Sequence, residues 1–491
     1  MDRGQEKTMT TTAGMPTDAS ESGPLEQHVV AVAAVVVLGA VMTVLDSTIV
    51  SVAIDTLGRD FGSPLATIQW VMTGYMLALA AVIPLTGWAA ARFGGKQVWL
   101  FSLALFIGAS ALCATAWSIE SLIAFRVLQG LGGGMVMPVG MTLVAQAAGP
   151  QRMGRAMSIV GIPMMLGPVL GPVVGGLVVS NVSWRWMFVL NIPLGLVAFW
   201  LSTRVIERKP SLRAERLDVV GLSVLTPGVV AFVYGLSVLA ERGGLDEVRA
   251  WVAVVAGAAL IATFVRHALR VDKPLLDLRL FANRTFTLAV TIQVLLGAVL
   301  IGSMLLLPLY YQVVRGESAS TTGLLLVPQG VGAALAMAVT GRLADRGKAR
   351  LAVLTGLPLM VAGLAGYTAS TAGTSYVVMS AALLVIGIGT GCVMAPVMAT
   401  AYAKLDRAAM PGATATLNVT QRIGGAIGTA IFAAVLQHQL SRARSGGADL
   451  VEATADAFGS TFWWPLAPAA LAIVPAVFLP RSPRPASGDG R

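Results

Sequence analysis

The chain reads as an all-α integral membrane protein of fourteen transmembrane helices, two six-helix bundles with an inserted helix pair between them. Three observations predict this. Of 491 residues, 56% are hydrophobic and only 12% charged, against about 25% charged in a soluble domain. Apolar runs long enough to cross about 30 Å of hydrocarbon recur along the whole length, without the period-two alternation of barrel strands. Lys and Arg are concentrated in alternate loops, as the positive-inside rule requires.

The spans lie near 29–53, 66–86, 97–117, 121–147, 157–179, 186–204, 218–240, 249–269, 285–313, 320–341, 351–370, 376–402, 415–438 and 461–480. With both termini cytoplasmic, 25 of the 34 Lys and Arg fall on inner segments and 7 on outer ones, while Arg126 and Arg422 fall inside spans. That bias fixes the orientation. It also gives the net charge of +10 a plain cause, basic loops facing anionic lipid rather than nucleic acid. The polar residues 1–28 form a cytoplasmic tail, and the run that follows is too long for a signal-peptide core, so no cleavage is expected. Cys113 and Cys392 sit in apolar spans as small hydrophobes, and His28, His267 and His438 lie far apart at span edges. No metal or disulfide framework is expected.

An internal repeat organises the spans. Gly130-Leu-Gly-Gly-Gly-Met-Val-Met137 in the fourth span is echoed by Gly387-Ile-Gly-Thr-Gly-Cys-Val-Met394 in the twelfth. The inner loop Gly87-Trp-Ala-Ala-Ala-Arg92-Phe-Gly94-Gly-Lys96 is echoed by Gly341-Arg-Leu-Ala-Asp345-Arg346-Gly-Lys-Ala-Arg350. The domains are then a tail (1–28), a first bundle (29–204), basic connectors with two extra helices (205–284), a second bundle (285–480) and a C-terminal tail (481–491). Parallel repeats around a midplane site are a transporter architecture that rocks one half against the other.

Asp46 is a carboxylate inside the first apolar run. A charge at the centre of a bilayer helix costs roughly 3 kcal/mol on insertion scales, so such a residue faces a protein interior or a wet cavity. The alternative is a place at the outer water interface. Arg126 opens the fourth span at matching depth, so the two can pair; its alternative is to snorkel to the outer surface. Burial raises a carboxylate's pKa and a nearby Arg lowers it. A motion that changed either would let Asp46 take up a proton on one side and release it on the other. The second half has no counterpart of either residue.

In the fifth span Gly167, Gly171 and Gly175 recur every four residues, and small-xxx-small spacing lets helices approach closely in lipid. Pro168 and Pro172 remove backbone donors and permit a bend. Gly161 and Gly176 flank this face. It serves either as a gating surface or as plain tight packing.

These motifs resemble a known family. Gly167-Pro-x-x-Gly171-Pro-x-x-Gly175-Gly176 is similar to the antiporter motif of drug exporters in the major facilitator superfamily. Leu45-Asp-Ser-Thr-Ile-Val-Ser-Val-Ala53 resembles the first-helix motif of its fourteen-span drug:proton antiporter branch. Trp70-Val-Met-Thr-Gly-Tyr75, Arg126-Val-Leu-Gln-Gly130, Trp184-Arg-Trp-Met-Phe-Val-Leu-Asn191-Ile-Pro193 and Pro308-Leu-Tyr-Tyr-Gln312 match as well. The resemblance implies the major facilitator fold and proton-driven efflux of amphipathic compounds across the cell membrane, and the excess of Arg over Lys in this Ala- and Gly-rich chain points to a bacterium with GC-rich DNA. It makes Asp46 and Arg126 the coupling pair, and Gly161, Gly167, Pro168, Gly171, Pro172, Gly175 and Gly176 the gating face. Gly87, Arg92, Gly94, Lys96, Gly341, Asp345 and Arg346 become an inner-loop conformational lock. The family's inner-loop acid is Ala91 in the first copy and is kept only as Asp345 in the second. Ser51 and Asp55 stand where the family often has asparagine and proline.

Trp70, Tyr75, Gln129, Asn191, Gln312, Asn418, Gln421 and Arg422 are the polar and aromatic candidates for a substrate cavity, each with a helix–helix hydrogen bond as its alternative. Met135, Met137, Met164, Met165, Met304, Met394 and Met398 either line an adaptable cavity or serve as ordinary core. Gly130-x-Gly132 lies mid-span with no preceding strand, and Gly341–Lys348 has the wrong spacing for a phosphate loop. The expected partners are therefore a small amphipathic organic substrate, protons and membrane lipid, with no nucleotide, nucleic acid, cofactor or metal, in a monomer that is not an enzyme. A dedicated exporter of one metabolite, antibiotic or lipid is the alternative within transport, and a non-transporting membrane sensor lies outside it.

Overall fold

The computed structural model describes residues 26–149, 152–208, 216–242, 247–403, 405–406, 409–445 and 450–481. The expected tails 1–28 and 481–491 lie almost wholly outside them. The described residues are helical, with no strand among them. Before the connectors run α1 (Gln27–Val52), α2 (Trp70–Phe93), α3 (Gly95–Ala114), α4 (Ile119–Ala148), α5 (Met153–Asn181) and α6 (Asn191–Val205). Two helices follow, α7 (Val219–Arg242) and α8 (Val248–Ala268). The chain then continues through α9 (Arg284–Leu309), α10 (Val327–Leu343), α11 (Ala349–Thr368), α12 (Tyr376–Tyr402), α13 (Met410–Ser445) and α14 (Leu450–Leu471). Among the described residues, 12 segments are long and apolar enough to cross a membrane. One of them is a 49-residue stretch, Ser320–Thr368, that contains both α10 and α11.

Several helix edges differ from hydropathy. The last helix begins at Leu450 rather than near 461, and α13 runs on to Ser445 rather than 438. Both extensions carry polar or charged residues (Glu452 and Asp456; Gln437 to Arg444) that form helix readily but lower the hydropathy. The tenth expected span, 320–341, is broken into Ala319–Leu325 and α10, and Pro328 sits in the first turn of α10, where its missing N–H costs nothing.

Helix pairing follows the sequence repeat. α1 packs on α5, α6 and α4, α3 on α4 and α6, and α2 on α4; α9 packs on α13, α14 and α12, α11 on α12 and α14, and α10 on α12. The repeated glycines make two of these approaches possible. A Cβ at Gly130 would lie 2.5 Å from the Tyr75 carbonyl oxygen of α2, and one at Gly132 would lie 2.7 Å from the Phe106 nitrogen of α3. In α12, Gly387 meets the backbone of Gln329 in α10, while Gly389 would place a Cβ 2.6 Å from the Met360 nitrogen of α11. Alternate glycines thus seat α4, and likewise α12, between two neighbours at once.

The two sets of helices meet along α5 against α10 and α12, and along α2 against α13. α7 leans on both α2 and α13, so it covers the second seam, and Trp70 stacks on its Tyr234 with ring centroids 6.0 Å apart. The base of α7 is clamped by Asp218, whose carboxylate accepts the Gly221 N–H at 2.7 Å and the Leu275 N–H at 3.1 Å and contacts His267 Nε2 at 2.9 Å. Burial pushes this carboxyl upward, but the bonds from Gly221, His267 and Leu275 outweigh it and hold the group below its ordinary value.

Two outcomes are expected. Replacing Gly130 or Gly389 with Leu should cost about 3 kcal/mol or more through forced helix separation, whereas Gly108, which has nothing within 4 Å of its Cβ position, should tolerate the same change; thermal size-exclusion profiles report both. Because the folded Asp218 has the lower pKa, its contribution is full above the ordinary carboxylate value of about 4 and fades as pH falls through the folded value. The melting temperatures of wild type and Asp218→Ala should therefore differ at neutral pH and converge in acid; a constant gap would contradict the clamp.

Candidate functional site

Asp46 lies on α1 with 1% of its surface exposed, and Arg126 on α4 is equally buried. The Arg126 guanidinium donates to Asp46 Oδ2 at 2.6 Å. Gln129 Nε2 and Asn191 Nδ2 donate to Oδ1 at 2.9 and 2.7 Å. Arg126 also donates to the Val71 carbonyl at 3.2 Å and to Gln129 Oε1 at 2.6 Å. Gln129 in turn donates to Ser110 Oγ at 2.6 Å. The guanidinium carbon stands 4.0 Å from the centroid of the Tyr75 ring and 5.8 Å from that of Phe188. Of the alternatives open in the sequence, both residues take the interior one. They form a pair satisfied by α1, α2, α3, α4 and α6.

A cavity of about 310 Å³ lies between the two sets of helices. From the first set Thr43, Ser47, Tyr75, Met137 and Met164 reach it; from the second Gln293, Met304, Met394, Met398, Asn418, Gln421 and Arg422 do. Four of the expected cavity residues are therefore in its wall: Tyr75, Asn418, Gln421 and Arg422. The other four are corrected. Gln129 and Asn191 are drawn inward to Asp46, the strongest acceptor in reach; Trp70 is 42% exposed against α7; Gln312 is exposed in the π-helical turn after α9. Met135 is buried outside the cavity wall, and the Met165 side chain lies outside the described residues, as do those of Ser51 and Asp55. Asp46 and Arg126 do not line the cavity; Tyr75 does, and its ring covers the Arg126 guanidinium.

Along the fifth span, Gly167 abuts Val44, Gly171 abuts Thr48, and Gly175 would place a Cβ 3.2 Å from the Ile49 Cα, so these glycines seat α5 on the part of α1 that carries Asp46. Gly161 instead faces Met337 of α10, across the seam, and Gly176 faces Ser320. The Pro168 and Pro172 side chains lie outside the described residues.

The two inner-loop motifs differ. Asp345 reaches across the seam to the first turn of α5, accepting the Gly154 N–H at 2.7 Å and the Arg155 Nε at 2.7 Å. A carboxylate at a helix N-terminus satisfies orphan donors and complements the dipole. Ser158 Oγ adds a 2.7 Å bond to the Met337 carbonyl, and Gly341 packs directly on Gly154. Arg346, expected to share this role with Asp345, is exposed, and Arg155 supplies the cation instead. In the first copy Gly87 lies against Pro411 and Gly412 at the start of α13, with Ala91 in place of the acid. Arg92 is exposed, while Lys96 donates to the Thr203 and Ile206 carbonyls at 2.9 and 2.5 Å and so caps the end of α6. Gly94 (φ +89°) and Gly347 (φ +72°) supply the left-handed turns that reverse the chain in each copy. Arg155 was legible only indirectly, as a cation in the first turn of a helix, where the dipole disfavours it unless an acid is near.

This arrangement matches a known family. The family model described as Major Facilitator Superfamily matches residues 36–429, and the chain belongs to that superfamily. It is 42% identical over 436 residues to the multidrug resistance protein B homolog of Mycobacterium tuberculosis, covering 88% of this chain and 81% of that one. It is 31% identical over 398 residues to the multidrug export protein EmrB of Haemophilus influenzae, covering 80% and 78%. The proton:xylose symporter XylE shares the fold, with a TM-score of 0.64 at 14% identity over 92% of this chain and 96% of that one.

Asp345→Asn should loosen the contact with α5. Amide exchange at Gly154 and Arg155 is expected to rise about fivefold, equivalent to roughly 1 kcal/mol; unchanged exchange by mass spectrometry would remove Asp345 as the latch.

Proposed function

We propose that this chain exports amphipathic organic compounds, drugs among them, across the bacterial cytoplasmic membrane by alternating access, drawing on inward proton flow. Its place in the superfamily and its similarity to multidrug exporters support drug efflux. The single observation that carries the coupling is the Asp46–Arg126 pair, buried in the first half one side chain away from the cavity. A carboxylate ion-paired in one state and neutral in another can carry a proton if each state opens to a different side. The Asp345 contact with α5 acts as the lock on the cytoplasmic side, and the glycine face of α5, seated on α1, couples that contact to the segment carrying Asp46. Substrates are neutral or singly charged, held mainly by the methionine-rich wall.

The reading includes fourteen passes with both termini inside. The 49 residues of Ser320–Thr368 exceed one crossing at 1.5 Å per residue and fold as two helices, and α5 packs between α1 and α10 as a spanning helix would. Residues 29–204 and 285–480 form the two bundles, and the pair within 205–284 covers one seam between them. The protein works as a monomer in contact with lipid, without a nucleotide, metal or other cofactor.

Asp46→Asn is close to isosteric and keeps hydrogen-bonding capacity toward Gln129 and Asn191. In reconstituted vesicles it should abolish pH-gradient-driven export, by at least about a hundredfold if the acid is the obligatory carrier. Substrate-triggered proton release from purified protein should vanish with it. Undiminished export by a folded Asp46→Asn protein would sink the coupling assignment.

A further inference from the structure

The cavity holds a cation with no counter-ion. Arg422 on α13 lines it, and no described residue forms a hydrogen bond or ion pair with that side chain. No Asp or Glu lines the cavity. Asp46 is already committed, since it accepts from Arg126, Gln129 and Asn191 and does not line the cavity. A guanidinium presents five N–H donors in a fixed plane and does not give up its proton, so an apolar chamber leaves it in want of an anion. A further polar group in the same wall points to a ligand. The Tyr75 hydroxyl is buried without a hydrogen-bond partner, in a residue 1% exposed, and can donate. Buried polar groups are rarely left so.

We propose that the cavity selects amphipathic organic anions, with a carboxylate, sulfonate or phosphate head on Arg422, the Tyr75 hydroxyl as a second donor, and the apolar body against Met304, Met394 and Met398. This rests on the export reading and narrows its substrate class. A fixed positive charge in a wall that holds no described acid repels the lipophilic cations that a drug exporter would otherwise accept. Arg suits the role better than Lys because two parallel N–H bonds to one oxyanion fix the head group's orientation.

The test uses three dansylated alkyl probes of equal chain length: a sulfonate, its neutral sulfonamide and a trimethylammonium. Binding is read by fluorescence with the full chain in phosphatidylcholine nanodiscs, and flux with the same chain in vesicles. The sulfonate should bind about tenfold or more tightly than the sulfonamide, with the ammonium weakest. The sulfonate-to-sulfonamide ratio should fall close to one in Arg422→Gln, recover in part in Arg422→Lys, and drop part-way in Tyr75→Phe. Equal binding of all three by wild type, or preference for the ammonium, overturns the proposal even if the Gln variant fails to fold. A sulfonate preference that survives in folded Arg422→Gln overturns it as well. Export of all three probes without preference discards the anion site and leaves the efflux reading intact. Selective sulfonate binding with no flux discards the efflux reading and leaves the anion site.

Discussion

The structure depends on one buried ion pair. Two unit charges sealed in a membrane protein lose far more solvation than a lone contact returns, and such a pair persists only where its remaining lone pairs and protons are also satisfied. Asp46 and Arg126 meet that condition through Gln129, Asn191 and the Val71 carbonyl. The consequence is mechanical as well as electrical. The pair and its partners come from α1, α2, α4 and α6, and Gln129 adds α3 through Ser110, so the network joins five helices of the first half. Protonation of Asp46 would remove one charge without removing any atom, and would leave Arg126 facing only neutral acceptors and aromatic faces.

Glycine-mediated backbone contacts occur within the halves and also cross the seam, at Gly154–Gly341 and at Gly87. Within each half, glycines bring backbones into direct contact, and separating them would open voids that no rearrangement of side chains fills. Across the seam at the Asp345 end, polar contacts recur: a carboxylate on a helix N-terminus and a serine on a carbonyl. Water can replace both of these at little net cost, because hydrogen bonding to solvent nearly balances them. The two copies differ for a chemical reason: Ala91 offers no side-chain acceptor to the start of α13, so the first-copy contact at Gly87 is one of shape alone.

Much of this was legible in the sequence, because the bilayer punishes exceptions. Asp46 and Arg126 stood out as charges in apolar runs, and the paired glycine motifs marked the two closest helix contacts. Helix ends were less legible, since α13 and α14 continue into polar residues that hydropathy discounts but helical propensity favours. Gln129 and Asn191 were visible as polar residues in spans, yet an amide can serve a cavity or a neighbour equally well. What decided between them was the position of Asp46, a three-dimensional fact. Arg155 was hidden for the opposite reason, as a charge in an inner loop is ordinary until its helix start is known.

Tyr75 ties the ion pair to the chamber. Its ring covers the Arg126 guanidinium, while its hydroxyl belongs to the cavity wall and has no protein partner. Neither member of the pair reaches the wall, so Tyr75 is a residue that touches both the chamber and the Arg126 guanidinium. Displacing the ring would cost a cation–π contact of about 2 kcal/mol at a desolvated site. That cost is small beside the energy of a charge left unpaired in the interior. A ligand that bonded the Tyr75 hydroxyl would act on the same residue from the other side. Cavity occupancy and proton access would then meet in one side chain, with no need for a chain of relays between distant sites.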